Sequence, residues 1–228
     1  IEKVKTDWNR VISLPYFDDF EDQPSVKQTT PECWYSLYTG LAKYPYPYVY
    51  GASQFWPSSG THGIYMYLTT QNGGGTTYLV TPEIDVDSLS RCQVSFYQCN
   101  GAASKRRNVI VGAVSDVNDI AGTFEPIDTI IFDSYPSFVF NNAIVPLDKY
   151  KGTAKHIAFT SCLDLCQKYS TKNGWTADAS QLWFTIDDIL IELIPTCFPG
   201  TDFKMVGHTD TSLEIEFTHE GAPQYEVK

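Results

Sequence analysis

The sequence predicts an all-β protein: an antiparallel two-sheet jelly-roll sandwich with a short tail of different character. Three observations carry this. Aromatic residues reach 14% of the 228 and Met is scarce at 2, a bias that suits pleated, half-buried surfaces. Short runs with strand-like patterning recur between Gly- and Asn-rich turns, the signature of strands and hairpins. No apolar stripe holds a 3.6-residue period for more than a turn or two.

The balance of 16 Lys and Arg against 27 Asp and Glu leaves a formal charge of −11. That argues against a nucleic-acid partner, because phosphate binding needs a basic patch. At 43% apolar and 19% charged, the composition is that of a globular chain. No apolar run approaches the ~18 residues of a membrane span, and the best stretch, 186–194, is broken by Asp187, Asp188 and Glu192, so no membrane insertion is expected. The first residue is Ile1 and no leader is visible, which we read as a processed or cut chain. No Asn-x-Ser/Thr triplet occurs, in keeping with a bacterial source.

Residues 1–13 are polar and unpatterned and read as a linker or the end of a preceding module. From Leu14 onward, strands are expected over 63–70, 77–80, 93–99, 108–115, 129–132, 138–145, 156–160 and 182–194. Turns fall at Asn72-Gly73-Gly74-Gly75, Asn100-Gly101 and Asn173-Gly174. About eight strands at this spacing make a sandwich or jelly roll. Pro195-Thr196-Cys197-Phe198-Pro199 punctuates the end of this domain, which spans 14–195. In the remainder, 196–228, short strands are expected over 203–207, 212–218 and 224–227. Leu213, Ile215 and Phe217 alternate with Glu214, Glu216 and Thr218, as in a strand with one wet face.

The six cysteines contain no C-x-x-C pair, so the spacing is not that of a metal site, and an even count invites disulfides. Cys92 and Cys99 are seven residues apart in one strand, hence on opposite faces and unable to pair. Cys92 shares its face with Val94 and Phe96 and reads as core. Cys162–Cys166 is the short-range pair we expect most.

The run from Phe203 through Val206-Gly207 to Thr211-Ser212-Leu213-Glu214-Ile215-Glu216-Phe217, then Tyr225-Glu226-Val227, resembles the opening of a fibronectin type III module, with Phe217 where the second strand usually has Trp. The resemblance implies an incomplete module, and so other domains of the same polypeptide. The main body resembles MAM-type jelly rolls and the cleaved-adhesin modules of bacterial surface haemagglutinins. The matching motifs are Asp19-Phe20-Glu21 in the opening strand, Leu79-Val80-Thr81-Pro82, Val111-Gly112-Ala113-Val114-Ser115-Asp116, and Thr123-Phe124-Glu125-Pro126. Tyr150-Lys151-Gly152 and Phe184-Thr185-Ile186-Asp187-Asp188 follow. They occur in family order over residues 14–195. Trp34 loosely matches the family's Trp after the opening strand. This implies a secreted or cell-surface protein.

Two acidic groups stand out: Asp18, Asp19, Glu21 and Asp22 near the start, and Asp187 with Asp188 near the end. In a jelly roll the first and last strands can lie side by side. Counting by twos, Asp187 shares a face with Trp183, Ile189 and Ile191, so it points partly inward, and a buried carboxylate needs a partner. No Lys or Arg is near either group in sequence; an oxygen-ligated hard cation, most simply Ca²⁺, would meet the need. The resemblance implies a structural calcium where the opening Glu meets the closing Asp, which gives Glu21 and Asp187, with Asp19 and Asp188 as further ligands. The alternative is solvated strand ends and turn caps.

A second constellation is aromatic. Tyr44, Tyr46, Tyr48 and Tyr50 stand at even spacing, with Trp56 close behind. Pro45 and Pro47 confine them to an edge or extended loop. Such rings could stack on sugars or on a partner's apolar patch, or simply cover the core. Glu83, Asp85 and Asp87 put three carboxylates on one strand face, as in some jelly-roll glycosidases, but a second Glu of that motif is missing. His62, His156, His208 and His219 form no metal or triad motif, and no nucleotide loop is present. The function expected is a non-catalytic binding or adhesion module for a glycan or a host or matrix protein. The alternatives are an accessory domain of a secreted protease or glycosidase, or a glycoside hydrolase acting through the Glu83 face.

Overall fold

The computed structural model describes residues 10–23, 30–40, 47–51, 57–69, 75–99, 105–133, 140–177, 181–195, 201–208 and 213–218. Its strands, in chain order, begin with β1 (Val11–Ile12), β2 (Tyr16–Asp18), β3 (Tyr35–Tyr38), β4 (Tyr48–Gly51) and β5 (His62–Thr69). Next come β6 (Thr77–Val80), β7 (Glu83–Ile84), β8 (Cys92–Cys99), β9 (Lys105–Val114) and, after a four-residue helix α1 (Ile120–Thr123), β10 (Phe124–Asp133). Then follow β11 (Phe140–Pro146), β12 (His156–Thr160), β13 (Gln167–Ser170), β14 (Gly174–Ala177), β15 (Gln181–Leu193), β16 (Thr201–His208) and β17 (Leu213–Thr218). The chain divides into two compact units, Ile1–Leu193 and Ile194–Lys228.

The first unit is the expected antiparallel two-sheet sandwich. One sheet runs β14-β13-β9-β12-β6-β3, with β10 on the other side of β9; the second runs β11-β8-β15-β5-β4, with β2 added to β15. The opening and closing strands do lie side by side, Asp18 opposite Ile189. β8 shows why the sheets pack: Cys92, Val94 and Phe96 are buried while Gln93, Ser95 and Tyr97 are half-exposed, the period-two split of a strand with one core face. Phe96 meets Phe159 of the opposite sheet edge to face at 5.3 Å. Ile64, Met66, Phe184, Ile186, Leu79, Val111 and Ile157 continue the same core.

Three features differ from the sequence reading. The hairpin β13–β14 was not expected, because its strands lie at the sheet edge and bury little, so they carry no apolar alternation to read. Asp187 does not share the core face. The pairing of β15 with β8 shifts register between Asp187 and Leu190, at Asp188, whose φ is +49. This bulge reverses the alternation: Phe184 and Ile186 point into the core before it, Ile189 and Ile191 after it. Cys162 and Cys166 are not joined in a disulfide, and none of Cys33, Cys92 and Cys99 is in one. A 3₁₀ turn, Leu163–Leu165, separates Cys162 from Cys166, and the Cys166 thiol donates to the Cys162 backbone carbonyl at 3.5 Å.

In the second unit β16 and β17 form an antiparallel hairpin, with Met205 opposite Ile215. The strand expected over 224–227 lies outside the described residues. No helix among the described residues is long and apolar enough to cross a membrane.

Candidate functional site

β5 has two apolar faces. Ile64, Met66 and Leu68 enter the core, so Tyr65 and Tyr67 must project from the other side. β4 lies beside β5 with Tyr48 opposite Tyr65 and Tyr50 opposite Gly63. β15 lies on the other flank, with Trp183 opposite Tyr67. These rings form a cluster apart from the main core, joined by Tyr38 from β3. Tyr48, Tyr50 and Tyr65 are mutual neighbours at 5.6–6.0 Å between ring centroids. Tyr65 stacks on Tyr67 at 6.3 Å. Tyr48 and Tyr65 are buried, whereas Tyr50, Tyr67 and Trp183 keep partial access to solvent. Burial, and then the charge of Tyr67, push the Tyr38 hydroxyl above its usual range.

Of the five aromatic residues picked out in sequence, the structure places Tyr48 and Tyr50 in this cluster; Tyr44, Tyr46 and Trp56 lie outside the described residues. Tyr65, Tyr67 and Trp183 were missed. The signal for the first two was present in the unbroken run Ile64-Tyr65-Met66-Tyr67-Leu68, a strand with no polar face. Trp183 reaches the cluster through strand register alone.

The acidic residues converge on one loop, Glu21 from the turn after β2 and Asp187 with Asp188 from β15. Glu21 Oε1 accepts from the backbone N–H groups of Thr61 at 2.7 Å and His62 at 2.6 Å. Its Oε2 accepts from the Thr61 hydroxyl at 3.1 Å and faces His62 Nδ1 at 3.3 Å. Burial raises its carboxyl, but these donors outweigh that and hold it below the usual range. Asp187 Oδ2 accepts from Ser58 N–H at 2.6 Å and Ser59 N–H at 3.1 Å, and Oδ1 accepts from Asp188 N–H at 2.8 Å. Asp188 in turn accepts from the Ser59 hydroxyl at 2.7 Å. Asp187 is only 1% exposed, and burial pushes its carboxyl up to about 7, the Asp188 charge adding to this and the N–H donors opposing it. Gly60, at φ +54, sits where a Cβ would collide with the Glu21 carboxylate.

Asp19 caps its own turn, accepting from Glu21 N–H at 3.2 Å. Glu21 and Asp187 therefore meet the same loop through different donors. A carboxylate oxygen filled by two N–H groups has little capacity left for a cation. Among the described residues, no three His, Cys, Asp or Glu side chains gather as a metal site. As placed, Glu21 and Asp187 each hold the loop through backbone N–H donors. Trp34, the loose family match, is wholly buried and donates its indole N–H to Asp18 at 2.8 Å.

Glu83, Asp85 and Asp87 all face solvent. Asp87 pairs with Arg91 at 3.4 Å, and Lys155 donates to the carbonyls of Val86 and Asp87. A cleft of about 390 Å³ lies elsewhere, between Glu125–Ile127 and Lys149–Gly152.

No protein-family model matches the sequence, and no curated protein matches it. Solved structures share the fold. The K1 cleaved adhesin domain of Lys-gingipain from Porphyromonas gingivalis is similar with a TM-score of 0.52 and 15% identity, over 79% of this chain and 98% of that one. The K3 cleaved adhesin domain of the same protein gives a TM-score of 0.50 and 19% identity, over 77% of this chain and 97% of that one. At these identities the likeness is one of fold: the first unit has the β-sandwich of cleaved adhesin domains.

Proposed function

We propose that this chain is a non-catalytic binding module of a secreted or surface-exposed bacterial protein, and that it recognises a glycan through the aromatic face of β4, β5 and β15. The observation that carries this is the placement of Tyr50, Tyr67 and Trp183, partly open to solvent, on the side of the sheet that faces away from the core. Sugar C–H faces stack on such rings, and the phenol and indole edges supply hydrogen bonds. The fold shared with adhesin domains agrees with an adhesive role. The motif order over 14–195 ties the first unit to MAM-type and cleaved-adhesin modules. The β16–β17 hairpin agrees with a fibronectin type III-like start, and so with further domains in the same polypeptide. An accessory role beside a secreted protease or glycosidase uses the same surface. A screen of the whole chain against a glycan array and matrix proteins, with and without calcium, tests the reading. Retention of one glycan class supports it; retention of matrix protein alone moves the ligand to the protein class.

A second, separate reading concerns calcium. The buried Asp187 beside Asp188 favours it, because a cation would relieve the cost of the buried charge. Calcium would have to displace N–H donors from Glu21 and Asp187, with Asp19 or Asp188 completing the shell. The test is the melting temperature with calcium against chelator: a rise that Asp187→Asn removes supports a structural ion, and indifference leaves the loop held by N–H donors alone.

A further inference from the structure

The other sheet carries a strip of aromatic and apolar side chains that the proposed function does not use. On β9, Val109 and Val111 enter the core, so Ile110 and Gly112 face the opposite side of the sheet. There Phe124 of β10 lays its ring over Gly112, where a Cβ would collide with it. The ring meets Tyr78 of β6 edge to face at 5.4 Å, and both residues are only partly buried. Further back along β9, Arg106 falls on the same face by strand alternation, and its guanidinium lies 4.1 Å from the Trp175 ring of β14. Trp175 meets Tyr169 of β13 edge to face at 5.4 Å, and Tyr169 is 47% exposed.

Two aromatic pairs therefore stand on one face, and the strand rise from Gly112 to Arg106 sets them roughly 20 Å apart. Half-buried Ile110 of β9 lies between them, with Ile131 of β10, 50% exposed, to one side. The Tyr78 and Tyr169 hydroxyls and the Trp175 indole N–H have no hydrogen-bond partner among the described residues, and none of the three is shut away from solvent. The side chains of the strip carry no charge. Arg106 sits against Trp175 and donates to Gln167 at 3.4 Å, while the register pair Lys105 and Lys168 lies on the opposite face of the sheet. With −11 on the whole chain, a polyanion is repelled and a neutral ligand is not. The ligand that matches is uncharged, presents apolar C–H faces at an interval, and brings hydroxyls to the ring edges.

We infer that the outer face of this sheet is a second binding site, for an extended uncharged polysaccharide that stacks one sugar on Tyr78 and Phe124 and another, several units along, on Trp175 and Tyr169. It lies on the other sheet from the tyrosine face of β4, β5 and β15 and does not depend on that reading.

Affinity electrophoresis of the whole chain in gels containing arabinoxylan, galactomannan, mixed-linkage β-glucan or dextran tests this, with polygalacturonate as the charged control. Retardation by at least one uncharged polymer is expected, and salt should not weaken it, because no ion pair is involved. Titration with the di- and hexasaccharide of that polymer should show a gain of about tenfold or more with length, since only the longer one reaches both ring pairs. Trp175→Ala should remove that gain and keep the β fold, because Trp175 lies outside the hydrophobic clusters of the sandwich. Tyr78→Phe keeps the packing on Phe124 and removes one hydroxyl, and should weaken hexasaccharide binding about threefold or more. Tyr67→Ala should leave this binding unchanged, so failure here and failure of the tyrosine-face reading are distinguishable. The proposal is overturned if no uncharged polymer binds, or if polygalacturonate binds as well as they do. It is equally overturned if folded Trp175→Ala and Tyr78→Phe bind like the parent, or if Tyr67→Ala abolishes the binding and they do not.

Discussion

Tyr65 lies against Tyr67 with ring centroids 6.3 Å apart and planes 20° from parallel, on the face of β5 opposite to Ile64 and Met66. A strand with apolar residues on both faces must have both faces covered or leave one for a partner. Here the core takes one face, and the other is only partly closed by neighbouring rings. Aromatic pairs of this kind contribute about 0.5–1.5 kcal/mol each beyond their buried area. Tyr67→Ala should therefore cost little more than one such pair in stability, seen as a small shift in the denaturation midpoint with an unchanged slope.

Trp34 should be far less tolerant. Its indole N–H and the Tyr16 hydroxyl both donate to Asp18 Oδ2, at 2.8 and 2.6 Å, and its ring packs on Phe20 at 5.6 Å. Trp34→Phe keeps most of the packing and removes one donor from a partly buried carboxylate, which should cost about 1–3 kcal/mol. Trp34→Ala adds a cavity and should cost about 3–5 kcal/mol. Equilibrium denaturation of the two variants measures both.

Gly60 tests the loop that Glu21 holds. At φ +54 and against the Glu21 carboxylate, Gly60→Ala combines backbone strain with a clash and should lose about 1–3 kcal/mol. Gly174, at φ +65 with open space around it, carries the strain without the clash. Gly174→Ala should cost less, about 1–2 kcal/mol.

Asp187 makes the stability depend on pH. In the folded protein its carboxyl keeps its proton up to about 7, while the unfolded chain releases it near 3.8. Between those values the folded state binds the extra proton, so stability falls as pH rises, by roughly 4 kcal/mol across the window. Glu21 acts in the opposite sense: its lowered carboxyl contributes stability above 4.5 that is lost as pH falls through its folded value. In chelator, the melting temperature should decline from about pH 4 to pH 7. Asp187→Asn, whose amide oxygen can still accept from Ser58 and Ser59, should flatten that decline.

The strands most legible in the sequence are those with a clear core face. β6 and β12 fall where 77–80 and 156–160 were expected, because both sit inside the sheet. β10 runs further toward its N-terminus than 129–132, through Pro126. Proline is a poor strand signal, yet it is tolerated where the register with β9 shifts, between Pro126 and Asp128. The β15 bulge was illegible because it depends on one residue, Asp188, taking a left-handed backbone. The proline-flanked tyrosines pointed to the aromatic cluster, but its partners on β5 and β15 come from 15 or more residues away through pairing that no local pattern records. The acidic residues were visible as a group. That backbone N–H groups of residues 58–62 would meet them was not, since those donors belong to every sequence alike.

The most direct test of the binding role is a titration of the leading array glycan against the parent chain, Tyr67→Ala and Trp183→Ala, with circular dichroism confirming the β fold of each. Loss of affinity of about tenfold or more in both folded variants is the expected result. Unchanged affinity in both would show that the glycan binds away from the aromatic face of β4, β5 and β15, and would contradict the assignment of that face as the binding site.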